Sequence, residues 1–167
     1  FKSILTYDRT HASYAWENLA VLQHNDKQLD AAIETMRIAA KSGNPRQQTR
    51  LAVYLDEAGK TEEAKQILVK ILERRPEFDK ARFRLLLFLE REGNWAAILP
   101  VSRDGMKYNP NDGLYQFFYG EALIQAGEVE AGLEMFRRCA RYDLPKTVTD
   151  HIAATLKSYA DSQPKTP

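Results

Sequence analysis

Residues Leu55–Pro76 read LDEAGKTEEAKQILVKILERRP. A glycine is followed five residues later by a small alanine, then by apolar side chains at Ile67, Leu68, Ile71 and Leu72, and a proline closes the stretch. The pattern is not unique to this segment. Gly59, Gly93 and Gly127 recur every 34 residues, and aligning on them brings other positions into register. Leu51, Leu85 and Tyr119 precede the glycines by eight residues, with Ala52, Leu86 and Gly120 beside them. Ala64, Ile98 and Gly132 follow by five, then Leu68, Ser102 and Phe136, then Ile71, Gly105 and Cys139. Pro76 and Pro110 close their copies, and Pro145 arrives one residue late. An earlier copy fits with a turn two residues shorter, placing Leu19, Ala20, Lys27, Ala32, Met36 and Ala39 in the same columns.

Apolar residues at helical spacing on both sides of each glycine predict a pair of helices joined by a tight reversal. Glycine just past a helix takes the left-handed conformation that turns the chain, and a small residue early in the second helix lets the two axes approach. Asn44-Pro45 predicts an N-cap followed by a proline in the first turn, where its missing N–H is not needed.

This 34-residue helix-turn-helix period resembles the tetratricopeptide repeat. Trp16 with Leu19-Ala20 matches that family's early columns, Gly120 matches the glycine of its Leu-Gly pair, and Ala64 and Pro76 match its small and closing positions. Departures are concentrated in the third copy, where Ile98 replaces the small residue and Ser102 and Gly105 are weak core residues; Lys27 replaces the first turn glycine. The resemblance implies an all-α, right-handed α-solenoid of about four helical hairpins, covering residues 13–146. Residues 147–162 are expected to form an amphipathic C-terminal capping helix, with Val148, Ile152, Leu156 and Tyr159 on one side, and residues 163–167 a frayed tail. Phe1–Asp8 parallels Phe136–Asp143 at Phe, Tyr and Asp, so residues 1–12 are expected to be the tail of a preceding repeat's second helix.

Composition limits the function classes. With 44% hydrophobic residues the chain can bury a core, and 24 Lys+Arg against 23 Asp+Glu leave a net charge of +1. No overall basic field favours nucleic acid. No apolar run approaches the roughly 20 residues of a membrane helix. The single cysteine, Cys139, precludes an internal disulfide framework and a multi-cysteine zinc site, and its column predicts a buried thiol. The chain starts at Phe1 without a recognisable leader, so it is expected to be an excerpt or a processed product, and the compartment stays open between cytoplasm and periplasm.

His11, His24 and His151 lie far apart in sequence, with no metal-binding His pair, phosphate loop or nucleophile elbow. A non-catalytic protein-interaction module without cofactor is therefore the expected function. The alternatives are a regulatory or targeting region of a larger enzyme and, disfavoured by charge, a helical-repeat RNA binder.

In the solenoid that the resemblance implies, first helices line a concave groove. Its columns are Val21, Val53, Leu87 and Glu121; Glu17, Thr49, Phe83 and Phe117; Asn18, Arg50, Arg84 and Phe118; and Tyr14, Arg46, Lys80 and Leu114. Arg46 with Arg50 and Lys80 with Arg84 are i,i+4 pairs, so four cations are expected to converge beside an apolar strip of Phe83, Leu87 and Phe117. Such a surface suits a protein or peptide partner with an acidic or C-terminal carboxylate group next to an apolar anchor. Lys80 and Arg84 resemble part of the carboxylate clamp of some tetratricopeptide domains, but Glu17, Val21 and Val53 stand where that clamp needs a lysine and two asparagines. The same residues also fit a solvated helix face, or a groove filled by the chain's own C-terminal helix.

Overall fold

The computed structural model describes residues 2–162, and for residues 2–10 the backbone alone. Every regular element in that range is a helix: α1 Lys2–Asn25, α2 Leu29–Ala40, α3 Pro45–Glu57, α4 Thr61–Arg74, α5 Asp79–Arg91, α6 Trp95–Tyr108, α7 Gly113–Gln125, α8 Val129–Cys139 and α9 Lys146–Ser162. Two compact units meet in sequence inside α5, between Phe88 and Leu89. In the first, α1 packs on α2, α2 on α3 and α3 on α4; in the second, α6 packs on α7, α7 on α8 and α8 on α9.

The four hairpin turns are closed by one hydrogen-bond pattern. The N–H groups of Gln28, Lys60, Asn94 and Glu128 donate to the carbonyls of Gln23, Leu55, Leu89 and Leu123 at 2.8, 2.8, 2.8 and 2.9 Å. Each bond spans five residues and satisfies a carbonyl that the helix end leaves open, provided the residue before the donor is left-handed. That residue is Lys27, Gly59, Gly93 or Gly127, with φ of 62°, 76°, 66° and 87°. Lys27 thus occupies the glycine position of its copy at a steric cost, since a Cβ in the left-handed region crowds the following carbonyl. Lys27→Gly is expected to raise unfolding stability by about 1 kcal/mol, read as a higher urea midpoint with unchanged slope; an unchanged or lower midpoint would mean the turn is not left-handed there.

Between hairpins, Asn44 Oδ1 accepts from the Arg46 N–H at 3.0 Å and Pro45 begins α3. The closing Pro76 carbonyl accepts from the guanidinium of Arg82, itself buried to 3% exposure. The repeated small and apolar columns form the core: Ala20, Ala32, Met36, Ala39, Ala52, Ala64, Leu68 and Leu86 have no exposed surface. Each large aliphatic side chain among them contributes roughly 1.5–3 kcal/mol by leaving water.

The third copy packs differently from its reading as a weak core. Ser102 is fully buried, and its hydroxyl donates to the Ile98 carbonyl at 2.7 Å, so its polarity is satisfied within α6. Gly105 leaves the space that the ring of Tyr115 fills from α7. Between α7 and α8, Gly132 has no room for a side chain: a Cβ there would stand 2.6 Å from the Gly120 carbonyl oxygen. At the other end, α1 is continuous through residues 9–12, where the expected boundary with a preceding helix falls; no glycine or proline interrupts that stretch. The 163–167 tail lies outside the described residues.

Candidate functional site

In the first unit, α1, α3 and the start of α5 line an open cavity of about 700 Å³. Pro45 and Asn44 start α3 so that Arg46, Thr49, Arg50 and Val53 recur at helical spacing along this side, and Lys80, Phe83 and Arg84 do the same from α5. Of the residues singled out from sequence, Arg46, Arg50, Val53, Lys80, Phe83 and Arg84 all line the cavity. Leu87, one turn further along α5, is half-buried and outside this lining.

The charges are not equivalent. Arg50 Nη1 lies 3.0 Å from Glu17 Oε1 on α1, and the other oxygen of Glu17 accepts from Gln47 Nε2 at 3.0 Å. The expected convergence of four cations is therefore corrected: Arg50 is neutralised by a carboxylate from the neighbouring first helix. Arg46, Lys80 and Arg84 have no ion-pair partner among the described residues, and all are exposed. At the far wall, His24 stacks on Tyr54 with ring centroids 4.4 Å apart, and its Nε2 is 2.5 Å from Glu57 Oε2. Burial raises the Tyr54 phenol above its ordinary range, keeping it protonated. Val21, Val53 and Phe83 supply apolar wall between the charged groups.

His24, Tyr54 and Glu57 were not among the sequence candidates. Tyr54 and Glu57 share a face of α3 by their i,i+3 spacing, but nothing local links them to His24, 33 residues from Glu57. Outside the cavity, Arg37 joins α2 to α4 by two bonds to Glu63, at 2.6 and 2.9 Å, and holds that carboxyl below the usual range.

Phe117 and Glu121 belong to the second unit and do not form an open face there. Both are 8% exposed. The Phe117 ring stacks on Phe136 at 5.7 Å and meets Phe118 and His151 edge-on. Glu121 pairs with His151 Nε2 from α9. The expectation that these two residues face a ligand is corrected by this cover: α9 places its imidazole on them. Nearby, burial and then the charge of Glu121 raise the Glu90 carboxyl, with His151 opposing. Farther along α9, the Tyr159 hydroxyl donates to Glu130 on α8, and Ile152 is buried.

Among the described residues, no cluster of His, Cys, Asp and Glu could hold a metal ion, and no helix is long and apolar enough to cross a membrane. Cys139 is fully buried, its thiol donating to the Phe136 carbonyl at 3.2 Å, and burial pushes its pKa up to about 11. It is poorly placed to react as a thiolate.

Helical hairpins closed by one repeated turn, with side chains of successive first helices exposed on a cavity, define a helical-repeat protein. Its particular form is the tetratricopeptide-repeat fold, as comparison with solved structures shows. MamA 41-end from Desulfovibrio magneticus RS-1 matches at a TM-score of 0.73 and 18% identity, over 89% of this chain and 86% of that one. YrrB, described as a TPR protein with an unusual peptide-binding site, matches at 0.68 and 17% identity, over 86% and 75%. A MamA structure from AMB-1 matches at 0.63 and 20% identity, over 75% of each chain. No family model and no curated protein matches the sequence.

Proposed function

We propose that this protein is a non-catalytic protein-interaction module whose first unit holds a short acidic segment of a partner protein. The observation that carries this reading is the set of uncompensated cations, Arg46, Lys80 and Arg84, bordering the apolar surface of Val53 and Phe83 in one open cavity. A carboxylate entering there meets donors from two helices, while an adjacent aliphatic side chain covers Val53 and Phe83. Charge-assisted hydrogen bonds supply orientation and the apolar contact supplies the anchor. Because the cavity is open, its charges are screened by salt. The fold shared with YrrB, itself a peptide-binding TPR protein, is consistent with this use of the hairpins.

The test is fluorescence anisotropy with a labelled peptide containing consecutive glutamates, one leucine and a free C-terminal carboxylate. Binding is expected to weaken with rising salt and to fall at least about tenfold in Arg84→Glu, the loss of one charge-assisted bond in energy. Arg50→Gln is expected to change affinity less, since Arg50 already serves Glu17. Equal affinity of the wild type and Arg46→Glu/Arg84→Glu, with helicity preserved, would overturn the assignment.

A further inference from the structure

The cavity of the first unit is electrically two-ended. Arg46 is the second residue of α3 and Lys80 the second of α5, with Arg84 one turn on, so the uncompensated cations gather where these two helices begin. Glu57 is the last residue of α3 and His24 lies in the last turn of α1, so the far wall is built at helix ends. A helix favours anions in its first turn and cations in its last. The neighbouring helices follow that rule: α2 begins with Asp30 and ends with Arg37, and α4 begins with Glu62 and Glu63 and ends with Arg74. In contrast, α3 has no acid in its first turn and no base in its last, and carries Arg46 and Glu57 there instead. Each end of α3 presents to the cavity a charge that its own dipole disfavours, and a ligand of opposite charge at each end relieves both.

Two carboxylates line the cavity, and they differ. Glu17 is engaged through both oxygens, by Arg50 and by Gln47. Glu57 has Oε2 at 2.5 Å from His24 Nε2, while its Oε1 has no hydrogen-bond partner among the described residues and the side chain is 43% exposed. The stack of His24 on Tyr54 fixes the imidazole that holds this carboxylate. A neutral imidazole donating one proton orients a carboxylate and leaves its charge in place. Glu57 is thus an acceptor held against the wall, with one oxygen open to an ammonium or guanidinium.

We infer, building on the acidic-segment reading above, that the bound segment carries a basic residue as well as its acidic group, and that Glu57 receives the basic one. Arg46 and Glu57 stand 57−46 = 11 residues apart on one helix, a rise of about 16 Å. An extended chain covers that span in about five residues at roughly 3.3 Å each. Val53 lies between the two on α3, where the apolar anchor falls. The cavity therefore gives the segment a direction, with its acids at the start of α3 and α5 and its base at the end of α3. His24 is a positioning residue in this arrangement, acting through Glu57.

The test is fluorescence anisotropy at about pH 8, above the range in which histidines ordinarily carry charge. Three labelled peptides share a C-terminal run of glutamates and one leucine. The first has a lysine about five residues before the glutamates, the spacing set by the strand rise; the second has alanine there, and the third has the lysine next to the glutamates. A site that only sums charge binds both lysine peptides more weakly than the alanine peptide, because the lysine opposes the attraction to Arg46, Lys80 and Arg84. Contact with Glu57 reverses this for the distant lysine alone, which is expected to bind about fivefold tighter than alanine. Glu57→Gln, with helicity kept, should abolish that preference, and Glu57→Lys should favour a glutamate in the lysine's place. Equal affinity of the wild type for the alanine and distant-lysine peptides overturns this inference and leaves the acidic-segment reading standing. A lysine preference that survives Glu57→Gln overturns it in the same way. If none of the peptides binds, the acidic-segment reading falls and this inference with it.

Discussion

Ala64→Arg is expected to destabilise the protein by about 3–5 kcal/mol, the scale of a charge forced into a buried contact without a partner. Ala64 has no exposed surface and sits in the first turns of α4, where the hairpin brings that helix onto α3. A guanidinium cannot reach solvent from there without separating the two helices. Because repeat hairpins are stabilised mainly by their neighbours, the loss should weaken hydrogen-exchange protection first in α3 and α4. Val69→Arg is the control on the same helix: Val69 is 42% exposed, and its replacement should cost under about 1 kcal/mol. Equal urea midpoints for the two variants would show that α4 is rotated and that the small column does not face α3.

That expectation was available from the spacing of residues alone. Local rules determine the hairpins: a left-handed residue, a bond back across the turn, and apolar side chains at helical intervals leave a repeating trace at Gly59, Gly93 and Gly127. Even the departure at Lys27 keeps the backbone conformation, because the bond from Gln28 to Gln23 demands it. The cavity was legible in part because the resemblance to the tetratricopeptide repeat implies which columns of the first helices share a face, those of Arg46, Val53, Lys80 and Phe83 among them. What periodicity does not carry is pairing between helices. Glu17 takes Arg50 out of the set of available cations, and His24 reaches Glu57, through contacts more than 30 residues apart that no local pattern encodes. At Phe117 and Glu121 the column reads as partner-facing, with cover by the chain's own C-terminal helix as the alternative, and His151 arrives from α9 to cover them.

Complementary volume is the other property that a single column hides, and Gly105→Ala should expose it with a loss of roughly 3 kcal/mol. Read alone, Gly105 looks like a gap in the core of the third copy. In place, a Cβ would stand 2.2 Å from Cδ1 of Tyr115 and 2.5 Å from Cγ, inside any tolerable contact, and the ring is fully buried with little freedom to retreat. The missing side chain on α6 and the large one on α7 are thus one packing unit. A double-mutant cycle separates this from a general intolerance of α6. Tyr115→Ala alone should cost about 3–5 kcal/mol as a cavity forms. Combined with Gly105→Ala, it should cost at least about 1 kcal/mol less than the sum of the two, because the added methyl then enters space the ring has vacated. Strict additivity in that cycle would mean that the ring does not rest on Gly105, and that the third hairpin closes by some other arrangement.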